Sequence, residues 1–289
     1  GLVDGVDPIA YPTDTSVRLA LPVKSWTGGG DLLMLDFDNS FEPPIWTMMR
    51  SVKATNSAGL RPTSFPGFEY DVDMVMIPTA QCGLAADRIL VPVEGPGDVA
   101  DLYMLDREGN SVWTLSHDSG FPTLVFPGFE AGVDLVPMCG LPGGAASRVA
   151  VPVENAAGTN ADLWLVDLAT GALLARAEDP AINPGLTIRG WEIGVEPVRW
   201  TDSYLFLPLE GNDGTGELMV LTNSGVLQDS RVLTGGLSFQ RSVDPIVAAL
   251  PDADRTLFVP LMKPNGDDAD LWFLRNPPSV HAGQTSFET

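Results

Sequence analysis

Five copies of one phrase run through this chain, and a self-similar unit of that size decides the fold before any single residue does. Each copy is a β-branched run containing a proline, then a polar loop, then an acidic residue opening an apolar run. They are Val17–Lys24 with Asp31–Asp36, Arg88–Glu94 with Asp101–Asp106, Arg148–Glu154 with Asp162–Asp167, Tyr204–Glu210 with Glu217–Leu221, and Thr256–Met262 with Asp270–Leu274. The prolines stand at 22, 92, 152, 208 and 260, so the period shortens from 70 through 60 and 56 to 52 residues.

Each copy reads as strands. The proline-containing run is almost continuous β-former, which suits a strand buried on both faces, and the acid-opened run has the same character. Loops such as Gly95–Ala100, Asn155–Asn160 and Gly211–Gly216 carry the Gly, Asn and Asp of hairpin connections. A further strand is predicted ahead of each pair, at Phe68–Asp73, Phe129–Asp134, Trp191–Glu196 and Phe239–Asp244, with Leu2–Asp7 as its counterpart without an aromatic. Another follows the pair, at Ser111–Ser116, Ala172–Ala177 and Val226–Val232. With strands lettered A to D, four short antiparallel strands in five units, and no convincing amphipathic helix, make an all-β chain. The pattern resembles the five-bladed β-propeller as an architecture, over nearly the whole sequence, and no named family is marked by its motifs. That resemblance implies one domain over 1–289, with blades near 1–55, 66–117, 127–178, 189–233 and 237–286. A β-solenoid, with shorter and more regular coils, fits the period poorly. The last blade reaches strand C at Leu271–Arg275, so its fourth strand is expected from about Ser279–Ser286 or is missing, and the tail is expected to be loosely held.

Composition narrows the class. Charged residues make up 19% and apolar residues 44%, a globular mixture, and no apolar run approaches the roughly 20 residues of a membrane helix. The 38 acids against 16 bases give a net charge of −22, which repels nucleic acid and anionic membranes and attracts cations or basic partners. An acidic coat serving solubility or a saline habitat is the competing reading. The chain starts at Gly1 rather than methionine, as expected where a leader or tag has been removed. Cys82 and Cys139 hold the same place in adjacent copies, so a disulfide formed in an oxidising compartment is expected, a pair of small buried thiols being the alternative. A secreted or extracellular location follows, with cell surface and periplasm both open.

Strand direction turns the list of acids into a place. Because A and B are antiparallel, the start of A, the end of B, the start of C and the D-to-A connections share one face. The innermost set is Asp7, Asp73, Asp134, Glu196 and Asp244. On the approach to A stand Glu69, Glu130 and Glu192; at the end of B stand Glu94, Glu154 and Glu210; and Asp31, Asp101, Asp162, Glu217 and Asp270 open strand C. Converging carboxylates need a cation or hydrogen-bond donors between them, and an all-oxygen set suits a hard ion such as Ca²⁺. The innermost set is therefore the candidate metal site, and Glu210, Asn212, Asp213 and Glu217 a peripheral one. The alternative is structural: such acids accept turn amides or pair with an arginine of a neighbouring unit, Arg18, Arg88 and Arg148 being repeated too.

Catalytic chemistry is thin. His117 and His281 sit in no motif, and no nucleophile elbow, His-Glu-x-x-His pair or phosphate-binding glycine loop appears. His117-Asp118-Ser119 is a weak nucleophilic candidate, the catalytic residues are unassigned, and no organic cofactor is expected. Tyr103, Trp164 and Trp272 share a place with Leu33 and Met219, so they are expected to pack between units, as are Phe68, Phe129, Trp191 and Phe239. Trp26 and Trp200 are the candidates for exposed contacts. The reading favoured is a secreted acidic propeller acting as a binding or structural module in an extracellular assembly, with a protein or carbohydrate partner. The alternative is a glycoside hydrolase or lyase using mouth carboxylates such as Asp73, Asp134 and Glu196.

Overall fold

In a computed structural model of the chain, the repeats become five antiparallel sheets. The residues described are 5–12, 17–24, 30–38, 45–52, 68, 72–94, 100–116, 126, 128–154, 161–192, 194–211, 214–241, 243–249, 255–264 and 269–275. The first sheet runs β1 (Ile9–Pro12), β2 (Val17–Lys24), β3 (Gly30–Asp38), β4 (Ile45–Val52). The second runs β5 (Val75–Ile77), β6 (Arg88–Glu94), β7 (Ala100–Asp106), β8 (Ser111–Ser116). The third is β9 (Val136–Met138), β10 (Arg148–Glu154), β11 (Ala161–Asp167), β12 (Leu173–Arg176). The fourth is β13 (Val198–Arg199), β14 (Tyr204–Glu210), β15 (Gly216–Thr222), β16 (Leu227–Val232). In the fifth, β17 (Ser238–Phe239) and β18 (Ile246–Ala249) both pair β19 (Arg255–Met262), whose other edge takes β20 (Ala269–Arg275). Four-stranded meanders repeated in this way are β-propeller blades. The only α-helix among the described residues is one turn, α1 (Thr79–Cys82).

Register explains why each copy tolerates its proline. Pro92, Pro152, Pro208 and Pro260 pair with Leu102, Leu163, Leu218 and Leu271 of strand C. Strand A is short: β5 pairs only Arg88–Leu90, β9 only Arg148–Ala150 and β13 only Leu205 and Phe206. The proline carbonyl faces that inner edge, where the Glu192 N–H donates to Pro208 O (3.4 Å) and the Gln240 N–H to Pro260 O (3.1 Å). A strand residue directs its N–H and C=O to the same side, so the missing donor faces an edge the ladder has already left.

The sequence expects strand A over the aromatic-to-acid segment, and here the structure differs. The strand begins two residues after the acid, at Val75, Val136, Val198 and Ile246, and the described residues ahead of it turn at Ala131–Gly132, Gly194 and Arg241. Gly132 and Gly194 take left-handed φ of 73° and 72°, and Val195 N–H and Val243 N–H close turns on Glu192 O and Gln240 O. Trp191 still makes one bridge to Leu209, and Phe239 one pair with Leu261, so the lead-in crosses the end of strand B before strand A starts. A register shift recurs at one place in strand C, at Met34/Leu35, Met104/Leu105, Leu165/Val166 and Val220/Leu221. A bulge there bends strand D away and increases twist.

The chain divides into two compact units, Gly1–Ala131 with Ala169–Gly171, and Gly132–Leu168 with Ala172–Thr289. In the first, Ala20, Leu32 and Met34 pack with Ile89, Val91, Val93 and Leu105. Tyr11 and Arg18 both donate to Arg107 O (3.0 and 2.7 Å), and Arg107 donates to Pro12 O (2.7 Å). Within the second unit, Ala150, Leu163 and Leu165 meet Leu205, Leu207 and Leu209, and the opposite face of the fourth sheet, with Phe206, Leu218 and Val220, meets Leu257, Val259 and Leu261. Burying a side chain such as Phe206 fully contributes about 2–3 kcal/mol. Cys82 and Cys139 are both buried and both disulfide-bonded. The segment proposed for a fourth strand in the last unit, 279–286, lies outside the described residues.

Candidate functional site

Antiparallel pairing puts the lead-in, the end of strand B and the start of strand C at one end of each sheet, so the acids can be followed sheet by sheet. The innermost set is held by backbone amides. Asp7 N–H donates to Asp73 Oδ1 (2.7 Å), Asp134 N–H to Glu196 Oε2, and Glu196 N–H to Asp244 Oδ1 (2.9 Å). Asp73, Glu196 and Asp244 thus each receive the amide of the preceding copy's equivalent residue, which is the structural alternative that the sequence left open. Asp7 and Asp244 are exposed and Asp73, Asp134 and Glu196 half-buried.

Among the described residues, no three His, Cys, Asp or Glu side chains are placed to hold a metal ion together. Asn212 and Asp213 of the peripheral set lie outside the described residues, as do Glu69, Trp26, His117-Asp118-Ser119 and His281.

The fourth sheet holds two carboxylates whose pKa burial raises. Glu192, on the lead-in, is 8% exposed, and burial raises its pKa, opposed by Arg241 and reinforced by Glu210. Arg241 Nε lies 3.7 Å from Glu192 Oε1 but is itself well exposed, so solvent screens the pair. Glu210, at the end of β14, is exposed; its N–H donates to Gly190 O (3.1 Å), and a Cβ at Gly190 would stand 3.3 Å from its Oε2. Glu217, opening β15, is also raised by burial and lowered by Arg189. A buried carboxyl disposed to hold its proton beside an exposed carboxyl is an arrangement that can give and take protons.

Elsewhere the same sequence positions serve the fold. Asp162, opening β11, is 2% exposed and pairs with Arg176 Nε at 2.7 Å while accepting the amides of Leu163 (2.8 Å) and Glu178 (3.0 Å). Glu178 accepts Ile188 N–H at 2.6 Å, and burial raises its pKa. Asp101 accepts the Tyr103 hydroxyl at 3.5 Å, and burial pushes Tyr103 up to about 12. Asp270 pairs with Lys263 at 3.2 Å. Glu154 is exposed at the end of β10, Glu130 is half-buried, and the Glu94 side chain lies outside the described residues.

The arginines that serve these acids are not the repeated ones. Arg18 binds Asp36 (Nη2 to Oδ2, 2.9 Å), and Arg148 donates to Asn223 O (2.7 Å), both at the opposite end of their sheets. Arg176, Arg189 and Arg241 have no repeat signature, so periodicity passes over them. A cue was present in Arg241, which directly follows Gln240, the one lead-in position where glutamine replaces glutamate. Trp200 is corrected as a contact residue: it is 2% exposed, and its Nε1–H donates to Arg255 O (3.1 Å). Phe68, Phe129, Trp191 and Phe239 are buried, as are Tyr103 and Trp164.

No protein-family model and no curated protein matches the sequence. Similar solved structures include the Dos1 propeller (9% identity, TM-score 0.42, over 89% of this chain and 63% of that one). Another is the C-terminal domain of Pseudomonas aeruginosa PilY1 (14%, 0.48, 91% and 58%), so the chain spans about three fifths of the length of these two. A third is the catalytic domain of the Coprinopsis cinerea GH62 alpha-L-arabinofuranosidase (11%, 0.38, 95% and 91%). At these identities and scores the likenesses carry nothing about activity.

Proposed function

We propose that this chain is a secreted binding module, its five sheets forming the blades of one propeller and their acidic ends offering a surface to a cationic partner protein. The observation that carries this is the division of labour among the acids: the Asp73, Glu196 and Asp244 carboxylates accept backbone amides, while Glu154 and Glu210 stand exposed where strand B ends in the third and fourth sheets. A net charge of −22 adds long-range attraction for basic ligands. The disulfide supports assembly in an oxidising compartment. Hard cations enter this reading as counter-ions of the acidic surface, so Ca²⁺ is expected to raise the melting temperature gradually, with no step removed by a chelator.

Titration calorimetry with a lysine-rich peptide tests it. Glu154→Gln with Glu210→Gln is expected to weaken binding at least tenfold more than Glu108→Gln with Asp202→Asn, a matched neutralisation at the opposite end of the sheets. Equal losses from the two pairs would reduce the binding to bulk charge and sink the proposal.

One observation favours a second reading, a carbohydrate-active enzyme. Glu192 is buried and held toward its protonated form beside the exposed Glu210, the acid and base combination that glycoside cleavage uses. Turnover of aryl glycosides lost in Glu192→Gln with the melting temperature kept would support it; no turnover by the unaltered protein on any glycoside offered would end it.

A further inference from the structure

The lead-in of the fourth sheet crosses the end of strand B and leaves one buried carboxylate short of donors. Trp191 bridges Leu209, the Glu192 N–H donates to Pro208 O (3.4 Å) and the Glu210 N–H to Gly190 O (3.1 Å). In that antiparallel pairing residues 190, 192, 208 and 210 share one face, so Glu192 and Glu210 are diagonal neighbours. Gly190 puts no side chain between them, and a Cβ there would stand 3.3 Å from Glu210 Oε2. Glu192 is 8% exposed, yet among the described residues no hydrogen bond reaches its carboxylate. Arg241 Nε lies 3.7 Å from Oε1, beyond hydrogen-bond length, on a side chain that is 75% exposed. Asp162, equally buried, takes Arg176 at 2.7 Å and two backbone amides. The fold thus satisfies its structural acids, while Glu192 carries a desolvation cost that donors from outside would relieve.

We propose that Glu192 and Glu210 form the seat of one arginine side chain of the basic partner, and that Arg241 is the internal placeholder which the partner's guanidinium displaces. The inference rests on the acidic-surface reading and deepens it from overall charge to one residue type. Arg241 already brings a guanidinium to the site, so the chemistry that fits is present in the chain itself. Its distance and exposure hold it weakly, since solvent screens such a pair. A partner's arginine entering over Gly190 can offer parallel N–H groups to Glu192 and a further one to Glu210. Lysine fits less well. Its ammonium is a compact, strongly hydrated point charge, and it gives up more hydration to reach a carboxylate that is nine-tenths buried.

Titration calorimetry with two peptides of equal length and charge, identical except for arginine or lysine at one central position, tests it. The unaltered full chain is expected to bind the arginine peptide at least tenfold more tightly. Glu192→Gln is expected to abolish that preference, bringing the arginine peptide to the lysine level, with the melting temperature showing that the variant is folded. Arg241→Gln, at an exposed position, is a second variant should Glu192→Gln misfold. It is expected to tighten the arginine peptide at least threefold more than the lysine peptide, because a change in overall charge alone moves both alike. Equal binding of the two peptides by the unaltered protein would overturn the arginine seat and leave the acidic surface standing; binding of neither would end both. A preference that survives Glu192→Gln, or an Arg241→Gln variant that tightens both peptides equally, would overturn the assignment to these residues.

Discussion

The fourth and fifth sheets are built from nearly the same phrase, Tyr204-Leu-Phe-Leu-Pro-Leu-Glu210 and Thr256-Leu-Phe-Val-Pro-Leu-Met262, in the same register with strand C. Their burial differs. In β14 every residue from Leu205 to Leu209 is buried, while in β19 Phe258, Pro260 and Met262 are partly exposed, and on their face Thr256 alone is sealed. The phrase therefore determines that a strand forms and which way its residues alternate. Whether both faces are buried is decided by a neighbour: the fourth sheet has packing partners on both faces within its unit, and the fifth has one on a single face.

The sharpest way to break that comparison is one substitution made twice. Phe206 and Phe258 occupy the same place in the phrase, but Phe206 is fully buried, edge-to-face with Phe239 at 6.4 Å. Phe206→Ala is expected to cost about 3–5 kcal/mol, the range for a buried aromatic truncated to leave a cavity. Phe258→Ala is expected to cost less, about 1.5–3 kcal/mol in dilute protein, because part of its surface is already hydrated. Urea unfolding followed by tryptophan fluorescence measures both. Equal costs would mean that the fifth sheet is buried on both faces in solution.

Strand C offers the next contrast. Asp162 and Asp270 open equivalent strands, yet Asp162 is buried against Arg176 and two amides, and Asp270 is a half-hydrated partner of Lys263. Asp162→Ala is expected to cost about 2–3 kcal/mol, below the full range for a broken buried pair because Arg176 keeps some solvent. Asp270→Ala is expected to cost under about 1 kcal/mol, as exposed pairs do. Thermal melts in low and high salt separate them further, since only the Asp270 pair is screened.

Much of this was legible because it repeats. The prolines and the acid at the head of strand C located strands B and C in all five sheets, and the paired cysteines gave the disulfide. Strand A was read seven residues early, because the signature Phe-Glu-x-x-Val-Asp is a lead-in with a turn: its aromatic is buried and its acid binds an amide, and both leave a pattern as regular as a strand's. Trp200 was misread for a related reason. A single tryptophan in an A–B loop carries no periodicity, and the carbonyl of Arg255 that its indole N–H meets lies 55 residues away. The arginines beside Glu217 and Asp162 were invisible for the same cause, and Arg241 beside Glu192 left only the Gln240 cue: a charge that compensates one site need not recur.

pH separates the fourth sheet's acids from one another. Burial holds the Glu192 carboxyl above its ordinary value, so the folded protein binds that proton more tightly than the unfolded chain does. The stabilising contribution is complete below the unfolded value near 4.5 and is lost as pH rises through the higher folded value. Glu192→Gln keeps a neutral side chain at all pH. Relative to the unaltered protein it is expected to flatten the fall in melting temperature on the alkaline side of that window. A variant that melts in parallel with the unaltered protein from pH 4 to 7 would show the carboxyl to be hydrated.

The smallest expected effect on stability is also the one that bears on function. Glu154 and Glu210 end strands B in the third and fourth sheets, and both are exposed. Replacing both with glutamine is expected to leave unfolding free energy within about 0.5 kcal/mol, as for surface positions away from caps and networks. Binding of a basic peptide should fall by the margin given above, and the fall should shrink as salt rises, since exposed charges act over a Debye length of about 8 Å at physiological ionic strength. A loss of stability in place of binding would instead make these two acids part of the fold, like Asp162, and would leave the exposed end of the sheets without a ligand-facing group at strand B.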